Sequence, residues 1–166
     1  NLDILKETKC LLLGSGSLGC QVARNLLSWG YTKLTFVDNG RVSYSNPVRQ
    51  CLFTFDDSRA EDNFKATTAA RRIAEIYPKV EAQGITMNIP MPGHTVAEDK
   101  YGSLFEDVER LETLVREHDV IFLLLDSREA RWLPTVLAQV HQKLCMTMAL
   151  GFDTFVVMRH GVSPEE

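Results

Sequence analysis

The chain has 166 residues, 45% of them hydrophobic and 24% charged, which suits one globular domain with a buried core. Its net charge of −4 gives no electrostatic reason to expect nucleic acid or an anionic membrane as partner. No run reaches the apolar length of a bilayer span, and "NLDILKETK" at the start is no signal peptide. The first residue is not Met, so the chain is read as cut from something longer.

In chain order, "KCLLLG" (9–14) is a short apolar run ending in glycine, the pattern of a strand buried on both faces. Leu18, Val22, Leu26 and Trp29 then recur at helical spacing, and Gly30 supplies a C-cap. "KLTFVD" (33–38) reads as a second strand, and 39–57 is polar and turn-rich. A helix is expected from Glu61 to Tyr77, stopped by Pro78, and a third strand over "VEAQGITM" (80–87). "NIPMPGH" (88–94) is a loop, because two prolines and a glycine exclude regular structure. "SLFEDVERLETLVREH" (103–118) is an amphipathic helix, and "DVIFLLLD" (119–126) is the strongest strand signal. A helix near Pro134 to Gln142 leads to strands over "KLCMTMAL" (143–150) and "TFVVMRH" (154–160).

This alternation predicts an α/β fold, doubly wound and Rossmann-like, with a mainly parallel sheet and helices on both faces. Ligands of such sheets bind beyond the C-terminal strand ends. Gly14 to Gly19, Asp38 and Asp126 all fall there.

Gly14, Gly16 and Gly19 form G-x-G-x-x-G between strand and helix. Gly14 permits a tight turn, Gly16 lets a phosphate near the backbone, and Gly19 lets the helix pack on the strand. The helix start then offers free N–H groups to an anion. Asp38 follows Gly19 by 19 positions and ends the second strand, where it can accept from both ribose hydroxyls. The motif alone leaves NAD, FAD, S-adenosylmethionine and ATP open.

The following loop narrows the choice. No Tyr-x-x-x-Lys is present, and Arg41, Asn46, Arg49 and Lys65 come soon after the ribose acid. Arg49 and Lys65 could close over a phosphate tail from two sides, one with a planar fork and one with a compact charge. Asp126, across the switch point, could hold Mg²⁺ together with phosphate and water oxygens, or cap the helix that follows it. Cys10, Cys20 and Cys145 sit in apolar patterns and read as small buried hydrophobes. Cys51 lies in a loop and is the thiol to test for reactivity. The wide cysteine spacing argues against zinc and disulfides, and for a reducing compartment.

"GSGSLG", "VDNGRVSYSNPVRQ", "FKATTAARRI" and "LLLDSREARWLP" together resemble the adenylation domain of ubiquitin-activating-type enzymes, the superfamily that includes the bacterial sulfur-carrier activators. "VSYSNPVRQ", "NIPMPGH", "DSREARWLP" and "GFDTFVVMRHG" are more particular. They resemble the homodimeric autophagy-related activating enzymes of ubiquitin-like modifiers. The resemblance implies that Gly14 and Gly16 back the phosphates of ATP and that Asp38 holds its ribose. It implies phosphate contacts by Asn46, Arg49 and Lys65, with Gln50 close by, and Asp126 at Mg²⁺ and the reacting centre. Ser127 departs from the Asn usual after this Asp, so the contact of that Asn does not carry over. Arg131 matches the motif's Arg, in a structural role.

By the same resemblance, the chain is one truncated adenylation domain, 1–166, carrying the nucleotide half of the site. The reaction expected is acyl-adenylation of a modifier's C-terminal glycine, ahead of thioester transfer to a conjugating enzyme. None of the four cysteines matches the family's catalytic one. The expected setting is the cytoplasm, including the autophagosome assembly site, with no membrane insertion and no nucleic acid. Three alternatives remain distinguishable. An oxidoreductase would bind NAD without Mg²⁺, and a methyltransferase would bind S-adenosylmethionine. A silent scaffold would lack the combination of Arg49, Lys65 and Asp126.

Overall fold

A computed structural model describes residues 2–97 and 101–161. Its centre is a six-stranded sheet in the order β3-β2-β1-β4-β5-β6. The strands are β1 (Lys9–Leu13), β2 (Lys33–Val37), β3 (Glu81–Ile85), β4 (Val120–Leu123), β5 (Leu144–Leu150) and β6 (Phe155–His160). The first five run parallel, and β6 pairs antiparallel with β5. The order turns between β1 and β4, which opens a crevice where both strands end.

The apolar run of β1 explains its central place. Cys10 and Leu12 pack to one side of the sheet and Leu11 and Leu13 to the other, all fully buried. The first side is covered by α2 (Ser17–Trp29) and α4 (Lys65–Ile76), through Cys20, Ala23, Ala66, Ala69 and Ile73. The second is covered by α5 (Tyr101–Glu117) and α6 (Glu129–Val140), through Leu111, Val115, Leu137 and Ala138. A strand buried on both faces has no polar side to alternate with. Burial pushes the thiols of Cys10 and Cys20 up to about 12 and that of Cys145 up to about 11. Cys51 is exposed.

Gly30 ends α2 in the left-handed region, at φ 97°, as expected of a C-cap glycine. Other boundaries differ from expectation. The helix expected from Glu61 begins at Lys65, because 61–64 is a strap paired with the loop after β2. Val42 N–H donates to the Asn63 carbonyl at 2.7 Å, and Arg41 bridges Phe64. Within the polar stretch lie a 3-10 turn, Asn46–Val48, and a short helix, α3 (Phe55–Arg59). Thr54 and Asp57 start α3 by bonding each other's backbone reciprocally. A further short helix, α1 (Leu2–Glu7), precedes β1.

Pro134 lies inside α6 and does not open it. Proline forfeits one helical hydrogen bond there. Its neighbours Leu133, Leu137 and Ala138 still bury that face, so tertiary packing overrides the local signal. At the sheet edge, Phe155, Val156, Val157 and Met158 of β6 are all exposed. Among the described residues no helix is long and apolar enough to cross a membrane.

Candidate functional site

The crevice is built by three glycines with separate jobs. Gly14 turns the chain at the end of β1 with φ 111°, and a Cβ there would lie 2.7 Å from the Leu124 carbonyl oxygen. A Cβ on Gly19 would overlap the carbonyl of Gly14, so the start of α2 can seat against the strand end only with glycine. Around Gly16 nothing lies within 4 Å of a would-be Cβ. No protein atom there explains a glycine, and the space is open to a ligand. Gly16 also caps α2 without a side-chain acceptor, so first-turn N–H groups remain available to an anion.

Asp38, just past β2, is half-buried and tied to two loops at once. Ser15 N–H donates to one carboxylate oxygen and Gly40 N–H to the other, both at 2.7 Å. Each oxygen keeps further acceptor capacity for a ligand hydroxyl. Lys65 is the first residue of α4, and its own N–H donates to the Gly40 carbonyl at 2.8 Å. The ammonium group has no hydrogen bond or ion pair among the described residues.

The loop after β2 folds back toward α2. Arg49 is exposed and donates from Nη1 to the Ser17 hydroxyl at 2.6 Å. Gln50 is 1% exposed, and its Oε1 has no donor among the described residues. Asn46 is different. It is buried, its Oδ1 accepts from Ser43 N–H at 3.1 Å, and its carbonyl accepts from Arg49 and Gln50. It lines neither hollow described below and shapes the backbone that carries Arg49 and Gln50.

Asp126 lies beyond β4 on the facing wall. It is exposed and makes no hydrogen bond or ion pair among the described residues. It does not cap α6. Ser127, one residue before the N-cap Arg128, accepts from Ala130 N–H through its hydroxyl at 3.4 Å. Arg131 has the structural role expected: its guanidinium donates to the carbonyls of Leu123, Leu125 and Met148, which ties the ends of β4 and β5 together.

These residues border two hollows with a shared wall. The smaller, about 350 Å³, is lined by Gly14, Gly16, Asp38, Lys65 and Asp126. Met87, Ile89 and Met91 close its far side. The larger, about 880 Å³, is lined by Gly16, Ser17, Arg49, Gln50, Lys65 and Asp126, and opens toward Leu150, Phe152 and Phe155. Gly16, Lys65 and Asp126 belong to both. A separate hollow of about 340 Å³ lies where the strands begin, lined by Lys9, Lys33, Glu81 and His118. It shares none of these residues.

One end of the crevice therefore offers an apolar slot beside the Asp38 carboxylate. The other offers open backbone, the cationic side chains of Arg49, Lys65, Arg128 and Arg131, and the Asp126 carboxylate. No cluster of three metal-ligating side chains exists among the described residues. Asp126 alone fits a cation that also takes phosphate and water oxygens, as Mg²⁺ does. Sequence reasoning assigned no role to the Met87 to Met91 wall or to the Ser17 anchor. Apolar residues inside "NIPMPGH", directly after a strand's C-terminal end, were the available signal.

Comparison with known proteins gives the family and the fold. Over 164 residues the chain is 52% identical to the ubiquitin-like modifier-activating enzyme atg7 of Dictyostelium discoideum, covering 99% of this chain and 23% of that protein. It is 55% identical to the ubiquitin-like modifier-activating enzyme ATG7 of Mus musculus, covering 98% and 24%. The chain thus spans about a quarter of the length of these curated relatives. Among solved structures, E. coli MccB with AMPCPP and MccA superposes with a TM-score of 0.74 at 21% identity, covering 96% of this chain and 42% of that one, a likeness of fold. The ThiF family model matches residues 1–166, the whole chain, which therefore belongs to the ThiF family.

Proposed function

We propose that this chain is the nucleotide-binding part of an ATP-dependent activating enzyme for ubiquitin-like modifiers of autophagy. The observation that carries the reading is the meeting of Arg49, Lys65 and Asp126 on hollows that share the Gly16 wall beside Asp38. A dinucleotide site has less use for two cations and a free carboxylate at the same place. The relatives named as modifier-activating enzymes support it, as does the MccB structure with AMPCPP.

In this reading Asp38 holds the ribose, Met87 and Ile89 flank the base, and the open backbone at Gly16 receives phosphate. The C-terminal carboxylate of the modifier attacks the α-phosphorus. A new O–P bond forms, the bond to the leaving pyrophosphate breaks, and acyl-AMP results. The nucleophile is already ionised, so no general base is needed. Two anions must meet, and Arg49 and Lys65 offset their repulsion and the charge that develops on phosphate oxygens. Mg²⁺, when bound by Asp126 and the nucleotide's phosphates, supplies further charge neutralisation.

The product would pass to a catalytic cysteine and then to a conjugating enzyme. We assign the catalytic cysteine to none of Cys10, Cys20, Cys51 and Cys145. The exposed row on β6, with Trp132, Val136 and Val140 on α6, supports cover by further protein, and we include a homodimer of the whole protein in the proposal. The cytoplasm, including the autophagosome assembly site, is the setting we infer. Calorimetric titration with ATP, AMP, NAD and S-adenosylmethionine, each with and without Mg²⁺, tests the reading. ATP should bind tightest and only its affinity should rise with Mg²⁺. Tighter NAD binding, indifferent to Mg²⁺, would favour an oxidoreductase instead.

A further inference from the structure

Asp57 lies on α3, outside both hollows, and its side chain is 1% exposed. Thr54 donates to it from the backbone at 2.7 Å and from the hydroxyl at 3.0 Å. Arg72 grips both carboxylate oxygens, with Nε 2.9 Å from Oδ2 and Nη2 2.9 Å from Oδ1. Arg71 adds a contact at 2.6 Å. Arg72 also reaches the Thr54 hydroxyl at 2.9 Å and Glu75 at 2.7 Å. Burial pushes the carboxyl up, but these donors outweigh it and hold the group at about 2.

A buried ion pair is a poor source of net stability, since desolvation offsets much of the attraction. A forked Arg–carboxylate grip does fix the distance and angle between the elements it joins. Here those elements both lead to the phosphate end of the crevice. Arg71 and Arg72 lie on α4, whose first residue is Lys65. Asp57 lies at the end of the segment that carries Arg49 and Gln50. Little slack separates them, because Phe53 N–H donates to the Gln50 carbonyl at 3.0 Å and Leu52 and Phe53 are buried. Arg49 is itself exposed, and its guanidinium is anchored only through the Ser17 hydroxyl among the described residues, so its place is inherited from the backbone beneath it.

We propose that Asp57, held by Arg72, is a positioning residue for phosphate binding. It sets the separation of Arg49 and Gln50 from Lys65, and so the grip on the nucleotide's phosphate tail. The inference rests on the ATP reading above.

The test is the ratio of ATP to AMP affinity in the intact protein, read by calorimetry. Asp57→Asn keeps the shape and removes the charge. Arg72→Lys keeps the charge and removes the fork. An affinity ratio does not depend on how much protein is folded, so a purely structural role leaves it unmoved. Both variants should weaken ATP about tenfold while AMP stays within about twofold, the scale of a displaced contact. On an Arg49→Ala background, Asp57→Asn should lower the ratio by less than it does in the wild type, because part of its effect acts through Arg49. If Arg49→Ala lowers the ratio and neither Asp57→Asn nor Arg72→Lys does, the clamp is overturned and the ATP reading stands. If the wild type has no preference for ATP, or Arg49→Ala has no effect, the ATP reading fails and takes the clamp with it. Should Asp57→Asn not fold, Arg72→Lys decides the question alone.

Discussion

Asp38 and Asp126 stand at the ends of two parallel strands on opposite walls of one crevice. Asp38 is half-buried, and each of its oxygens already holds a backbone N–H. Asp126 is exposed and holds nothing among the described residues. The same side chain at equivalent places in the topology has thus been given two kinds of work. Asp38 ties the glycine loop to the loop after β2, so part of its acceptor capacity belongs to the fold. Asp126 makes no hydrogen bond to the fold among the described residues; its charge only offsets part of the downward push that burial gives the Arg131 guanidinium. In the function proposed above, this carboxylate, which lines one hollow with Lys65 and Arg49, would serve a ligand carrying both phosphate and a metal ion.

The strongest way to break this contrast is Asp126→Ala. Modifier-dependent ATP–pyrophosphate exchange in the intact protein should fall by ~10²–10³-fold or more, the cost of one strong transition-state contact and of a displaced metal. The melting temperature and AMP affinity should hardly move. Exchange that survives within about tenfold while AMP binding collapses would make Asp126 a ribose ligand or a structural cap.

Asp38→Ala should do the reverse. Two charge-assisted hydrogen bonds to backbone disappear, so urea unfolding should show a loss of about 3 kcal/mol. ATP and AMP should weaken alike, by about 1–3 kcal/mol, because the ribose is common to both. A variant that keeps full stability and discriminates between the two nucleotides would show that the acid faces the phosphates instead.

These contrasts are only half legible in the sequence. The strand-glycine-helix pattern locates Gly14, Gly16, Gly19 and Asp38, because each depends on local backbone geometry. The parallel sheet follows from strands too apolar to face water. The antiparallel turn of β6 does not follow, since a short hairpin over 151–154 and a parallel return look alike in hydrophobic pattern alone. The start of α4 escapes local reasoning because its true limit, the strap at 61–64, is set by pairing with residues about 20 positions earlier. Pro134 misleads for the same kind of reason, as packing on the sheet outweighs its local cost. Asn46 is expected at phosphate, yet the structure gives its side chain a backbone partner and leaves the two hollows to its neighbours. The grip of Arg72 on Asp57 spans 15 positions and two helices, so no spacing rule announces it.

Asp57 extends the series from a free acid through a braced one to a fully enclosed one, and pH can read its last step. The group is held at about 2 against an ordinary 3.8, so the folded state favours its ionised form. Its contribution is therefore complete above pH 4 or so and is lost as pH falls toward 2. A displacement of that size corresponds to about 2 kcal/mol. The Asp57 side chain is 1% exposed but Arg72 is 23% exposed and Arg71 49%, so solvent screens part of it. Other carboxylates titrate in the same window, so the useful quantity is a difference. The gap in unfolding free energy between wild type and Asp57→Asn, measured in urea, should shrink by up to about 2 kcal/mol between pH 7 and pH 2. If the gap is constant with pH, the Asn variant destabilises through shape or an unpaired Arg72 and not through the charge. The fixed geometry assigned to the clamp would then have to come from the Thr54 capping bonds alone.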